Sequence, residues 1–188
     1  MGAILITGAK GRIGRALAAH WRSRDCILLD REDGDLTVSD AAWTERFAGA
    51  ETVVHLAADP DSTGGYETAA ADSISATLNV LRACREHRVQ RVIYASSVWA
   101  EYEKWGLART MRWYSASKIA GEALVHAWAD ETERPAVCLR FGYFDPGTPY
   151  NSAEEWRRLS EAGLVMHADD ALRWTGPGCS VRYAVGRP

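Results

Sequence analysis

Eight residues near the start of the chain, Thr7-Gly-Ala-Lys-Gly-Arg-Ile-Gly14, restrict the fold more than any other segment. They follow an unbroken apolar run, Ala3–Thr7, and open a stretch from Arg12 to Trp21 whose apolar side chains recur with helical period. A strand that turns through glycines straight into a helix is the opening of a β-α-β unit. Glycines there let backbone N–H groups approach an anion, and a helix N-terminus favours negative charge. The spacing is G-x-x-G-x-x-G, distinct from G-x-G-x-x-G and from the P-loop pattern. Cys26-Ile-Leu-Leu-Asp30 forms the next apolar run and ends in an acid. An acid at that place accepts hydrogen bonds from the hydroxyls of an adenosine ribose. Turn and acid together predict a dinucleotide site. Asp30 repels a ribose 2′-phosphate and so favours NAD, while the guanidinium of Arg31 beside it can grip such a phosphate and admits NADP.

The same alternation continues down the chain. Glu51–Ala57, Val92–Ala95 and Ala136–Arg140 are strand-length apolar runs, separated by helical patterns at Ala69–His87 and about Tyr114–Asp130. Unbroken apolar strands joined by helices imply a parallel sheet covered on both faces. Right-handed crossovers then give a doubly wound α/β sandwich of Rossmann type. Turn residues cluster at Phe144–Pro149, followed by helical stretches at about Ser152–Ala162 and Ala168–Trp174 and a strand-like run from Cys179 to Val185. The 188 residues are expected to form one domain, with a dinucleotide-binding core over 1–145 and a small cap on the sheet over 146–188.

Composition narrows the partners. A net charge of −3, from 22 Lys+Arg against 25 Asp+Glu, provides no field for nucleic acid. No apolar run approaches the ~20 residues of a membrane span. The four cysteines, Cys26, Cys84, Cys138 and Cys179, form no C-x-x-C, which excludes a zinc ribbon or dithiol centre and suits free thiols in a reducing compartment. The expectation is a cytoplasmic chain with no metal, no nucleic acid and no membrane partner. Asp169 and Asp170 read as helix-start residues rather than metal ligands.

Tyr114-Ser-Ala-Ser-Lys118 places a phenol and an ammonium on one helical face. A free phenol, with a pKa of about 10, is a poor base at neutral pH, and a cation beside it stabilises the phenolate. Upstream, Ala95-Ser96-Ser97 ends a strand. Together with the glycine turn, these features resemble the extended short-chain dehydrogenase/reductases, the NAD-dependent epimerase/dehydratase family, over roughly residues 3 to 145. The turn Gly8-Ala-Lys10-Gly11-Arg12-Ile13-Gly14 is similar to the family's phosphate turn, and Asp35-Leu36 to the pair that contacts adenine. His55-Leu56-Ala57-Ala58, the strand carrying Ala95 and Ser97, and Leu139-Arg-Phe141-Gly142 resemble the segments that line the cofactor. The resemblance implies a hydroxyl at Ser97 that holds the reacting oxygen, an acid/base at Tyr114, and a helper at Lys118 that also binds the nicotinamide ribose. Similarity to uronate dehydrogenases extends to His167-Ala-Asp-Asp-Ala-Leu172.

The chain departs from the family in three places. Ser73 stands where the family often has an Asn supporting a proton relay. The stretch between Ser97 and Tyr114 is short and aromatic, with Trp99, Tyr102, Trp105 and Trp113. The substrate region is reduced to a few tens of residues. The resemblance implies an NAD(P)-dependent oxidoreductase acting on a small polar, sugar-derived substrate. A nucleotide-sugar epimerase or dehydratase, and a dinucleotide-binding regulator without catalysis, remain alternatives.

Trp99 suits stacking on a sugar or filling of the core, whereas Trp105 and Trp113 suit the core. His55 reads as structural, His20, His87 and His126 as surface residues, and His167 as a residue near the cap. In the family two long helices pair into a four-helix dimer. Here Ala116, Ile119, Ala120, Ala123 and Ala127 on one helix, with Ile74, Leu78 and Leu81 on the other, imply a homodimer.

Overall fold

A computed structural model describes residues 2–59, 61, 63, 65–101, 112–145, 147 and 157–186. Six strands form one parallel sheet in the order β2-β1-β3-β4-β5-β6: β1 Ala3–Thr7, β2 Cys26–Leu29, β3 Ala50–His55, β4 Arg91–Ser97, β5 Ala136–Phe141 and β6 Cys179–Ala184. Between them run α1 (Arg12–His20), α2 (Ala41–Thr44), α3 (Ser73–Glu86), α4 (Arg112–Thr132) and α5 (Glu161–Arg173).

Alternate strand residues feed two cores. Ile4, Ile6, Val54 and Leu139 pack with Leu17 of α1 and Leu164 of α5 on one face. Leu5, Val53, Val92 and Cys138 pack with Val80 of α3 and Val125 of α4 on the other. Every interior strand is therefore apolar on both sides, which is why the runs read as unbroken.

Three elements differ from the sequence expectation. The helix expected over Ala69–His87 begins as a wide π-helical turn, Tyr66–Asp72, and becomes regular only at Ser73. Downstream, the run at Cys179 is the sixth strand of the core sheet, in register with β5 from Ala136↔Cys179 to Phe141↔Ala184. The preceding helix is continuous from Glu161 to Arg173, capped by the Ser160 hydroxyl, which accepts from the Gly163 N–H at 3.0 Å. Asp169 and Asp170 thus lie in its later turns. Asp169 accepts from Trp21 Nε1 at 2.8 Å and pairs with His20, which ties α5 to α1.

Candidate active site

β2 and β3 flank β1 on opposite sides, so a crevice opens beyond the carboxyl ends of β1 and β3, the usual binding place in such sheets. The glycine turn lies there. Gly8 adopts φ +69°, and a Cβ on it would come within 2.8 Å of the Ala57 nitrogen. A Cβ on Gly14 would lie 2.4 Å from the Gly8 carbonyl oxygen. Both positions need glycine on steric grounds alone. Gly11 caps α1 without any side-chain hydrogen bond, and the first turn carries Arg12 and Ile13 but no acid. That electrostatic setting suits a pyrophosphate.

Asp30 is drawn onto the turn. Its Oδ2 accepts from the Lys10 N–H at 2.6 Å and its Oδ1 from the Arg31 N–H at 2.9 Å. Each oxygen retains a lone pair for a ribose hydroxyl. The Lys10 ammonium pairs with Glu32, while Arg31 is exposed. Further on, Thr37 donates to the Asp35 carboxylate through its N–H at 2.9 Å and its hydroxyl at 2.8 Å, holding it below the usual carboxylate range. The Leu36 carbonyl accepts from Asn79 Nδ2 at 3.0 Å, anchoring this loop to α3.

Beneath the crevice a buried chain joins β1, β3 and α3. The Ala57 N–H donates to Thr7 Oγ1 at 3.3 Å, and Thr7 Oγ1 lies 2.7 Å from His55 Nδ1. His55 Nε2 lies 3.2 Å from Thr77 Oγ1, whose hydroxyl donates to the Ser73 carbonyl at 2.9 Å. One tautomer satisfies the chain: Nδ1 accepts from Thr7, and Nε2–H donates to Thr77. Burial, reinforced by the charge of Lys118, pushes the imidazole down to about 3, so His55 is neutral at physiological pH. The Ser73 hydroxyl itself donates to the Thr68 carbonyl at 3.5 Å.

Ser97 ends β4 opposite Phe141 of β5. It is buried, accepts from the Trp99 N–H at 3.2 Å, and acts on the Tyr114 phenol so as to lower it. Lys118, one turn after Tyr114, is 5% exposed and donates to the Ala95 carbonyl at 3.0 Å. Its Nζ lies 5.5 Å from the centre of the Tyr114 ring and 5.6 Å from that of Tyr94. The spacing of phenol and ammonium predicts a depressed phenol, but here desolvation raises Tyr114 and only the Ser97 hydrogen bond opposes the rise. The ammonium is directed to a carbonyl rather than to the phenol oxygen, and burial lowers it to about 8.

Residues 4–155 match the model of the NAD dependent epimerase/dehydratase family. The chain belongs to that family. It is 30% identical to the L-arabinose 1-dehydrogenase (NAD(P)(+)) of Haloferax volcanii, over 95% of this chain and 79% of that protein. The NAD-dependent glucose-6-phosphate dehydrogenase of the same organism is 26% identical over 82% of this chain and 72% of its own length. The fold matches the solved glucuronic acid dehydrogenase of Chromohalobacter salexigens with a TM-score of 0.83, at 19% identity, over 99% of this chain and 77% of that one. Membership makes the chain an NAD(P)-dependent enzyme of oxidoreductase chemistry, and the uncapped α1, the two glycine contacts and Asp30 fit that cofactor.

Within this family member, Trp99 is covered by the guanidinium of Arg157, 4.4 Å above the ring, so one face is occupied from within the chain. Trp113, expected in the core, is instead 49% exposed and stands edge-on to Tyr66. Tyr102 and Trp105 lie outside the described residues. Among the described residues no cluster of three or more His, Cys, Asp or Glu is arranged to hold a metal, and no helix is long and apolar enough to cross a membrane.

Sequence reasoning missed four polar residues packed behind the site. The Tyr94 hydroxyl lies where a Cβ on Gly121 would stand, which fixes glycine there. Glu122, one turn beyond Lys118, binds the Arg140 guanidinium through both oxygens, at 2.8 Å each. It also accepts from Ser96 Oγ at 2.5 Å. A charge ending the apolar run Ala136–Arg140 and a second one four residues after Lys118 were the available signals.

Proposed function

We propose that the chain is an NAD-dependent dehydrogenase that interconverts a hydroxyl and a keto group on a small, polar, sugar-derived substrate. The observation that carries this is the grouping of Ser97 at the end of β4 with Tyr114 and, one helical turn further on, the buried Lys118 bonded to the Ala95 carbonyl, at the same sheet edge as a turn shaped for a pyrophosphate. Gly8, Lys10, Gly11, Arg12, Ile13 and Gly14 would hold that pyrophosphate. Asp30 and Arg31 would meet the adenosine ribose, and Asp35 and Leu36 the adenine. Leu56, Ala57, Ala58, Ala95 and Phe141 would border the nicotinamide end. When bound, NAD supplies the hydride acceptor.

The chain's own residues handle the proton. Ser97 receives the Trp99 N–H at its oxygen, which polarises its hydroxyl toward the reacting substrate oxygen. Tyr114 exchanges the substrate proton within hydrogen-bonding reach of Ser97. Lys118 supplies a positive charge beneath the phenol and, by exchanging its carbonyl partner for a ribose hydroxyl, would bring that charge closer. Of the segment 146–188 expected as a cap, α5 and β6 belong to the core, so a cover over the substrate would have to come from the rest of it. Sugar substrates are named in three relatives, which supports that class.

The outer faces of α3 and α4 support a homodimer, which would work in the cytoplasm. Leu78 and Ile119 are 36% and 45% exposed, beside the exposed Ala116, Ala123 and Ala127. The enzyme should be mixed with excess NAD and L-arabinose, D-glucose 6-phosphate or D-glucuronate, following free NADH by absorbance. Accumulation beyond one equivalent per subunit is expected. Conversion of substrate without free NADH would instead identify an epimerase or dehydratase, and binding without conversion a regulator.

A further inference from the structure

Behind Ser97 lies a set of charges that the proton chemistry above does not use. Arg140, at the end of β5, is clamped by two carboxylates. Glu122 of α4 binds it from one side, and Glu101 binds it from the other. The side chains of Arg140 and Glu122 are only 14% and 9% exposed. Glu101 also accepts from the Tyr183 hydroxyl of β6, and the Arg140 guanidinium lies 5.6 Å from the centre of the Tyr183 ring. These partners raise the guanidinium above its ordinary value, so it is permanently charged.

The two carboxylates attach to opposite sides of Ser97. Glu122 accepts from Ser96, the residue before it. Glu101 ends the short turn Val98–Glu101, which contains Trp99, the residue whose N–H bonds Ser97 Oγ. A buried ion cluster rarely adds net stability over an apolar equivalent, because desolvating the charges offsets their attraction. It does fix geometry, since a two-pronged guanidinium bond tolerates little rotation.

We propose that Glu101, Arg140 and Glu122 form a positioning strap for Ser97: the strap holds the 98–101 turn so that the Trp99 N–H stays on Ser97 Oγ and fixes where that hydroxyl stands relative to Tyr114. The proposal rests on the functional reading above. Ser97 acts to lower Tyr114, so releasing the turn should displace Ser97 and raise the phenol further. A purely architectural ion cluster would leave the phenol where it is. Val98 and Ala100, each 2% exposed, also hold the turn, and their packing alone is the competing account.

The test is the titration of Tyr114 in ring-labelled tyrosine protein by NMR, with its signal identified by loss in Tyr114→Phe and each variant's fold checked by thermal melting. Ser97→Ala is expected to raise the titration point by roughly half a unit or more, the value of one lost hydrogen bond. Glu101→Ala should raise it in the same direction. Tyr183→Phe, which cuts the strap at the edge strand, provides the same test if Glu101→Ala does not fold. Glu101→Gln, which can still accept from Arg140, should restore the wild-type value. If Ser97→Ala moves the titration while Glu101→Ala and Tyr183→Phe leave it unchanged, the strap does not position Ser97. If Ser97→Ala itself moves nothing, the Ser97–Tyr114 bond fails, and the strap falls with the functional reading.

Discussion

Lys118 shows how strongly a single buried charge is constrained. Burial lowers its ammonium from 10.5 to about 8, so the folded chain gives up this proton more readily than the unfolded chain does. Below about 8 both states carry the charge, and the folded state bears the full cost of burying it. Between about 8 and 10.5 the folded form is increasingly neutral, the unfolded form binds more protons, and stability rises with pH. Lys118→Met should therefore stabilise the protein at neutral pH, by up to about 3 kcal/mol, less whatever the Ala95 carbonyl loses with its donor. The gain should shrink as pH rises through that window. Denaturant unfolding of both proteins at neutral and alkaline pH checks the sign, and a variant less stable at neutral pH would contradict it. The Tyr114–Lys118 spacing was legible because i,i+4 places both groups on one face. The direction of the phenol's shift was not, because spacing along a helix says nothing of desolvation or of the carbonyl that claims the ammonium.

At the scale of elements, five strands and the helix carrying Tyr114 were legible, since parallel strands buried on both faces leave unbroken apolar runs. The C-terminal elements were harder to read for identifiable reasons. The helical pattern reads as two stretches parted between 162 and 168, yet one helix runs through Gly163, where a Cβ would approach the Gly186 carbonyl oxygen to 2.9 Å. β6 is an edge strand with Val181 and Tyr183 partly exposed, so its pattern is mixed and gave no sign of joining the sheet. Helix faces bear on assembly too. Of the residues expected to face a partner, Leu81 is in the subunit's own core, whereas Leu78, Ile119 and Ala123 lie outside it. Ala123→Glu should split the proposed dimer without disturbing the glycine turn. Light scattering with a parallel NAD titration checks this. A wild-type protein of 20.7 kDa in solution at micromolar concentration would refute the dimer.

For the whole molecule, the sheet order sets what each region can do. The turn after β1, the acid after β2, the segment after β3, Ser97 at the end of β4 and Phe141 at the end of β5 all meet at one edge, because every strand is parallel. The cofactor side was readable from local motifs, each of which is a few contiguous residues. The supporting residues His55, Thr77, Tyr94, Glu122 and Arg140 belong to different elements, and only folding brings them together. The central claim is that this edge performs proton transfer through Tyr114 on a bound substrate next to NAD. Tyr114→Phe tests it most directly, by measuring NADH formation on whichever of the three sugars is turned over and NAD affinity by protein fluorescence. The account predicts a loss of about 100-fold or more in kcat with unchanged NAD affinity. Full activity in Tyr114→Phe would contradict it.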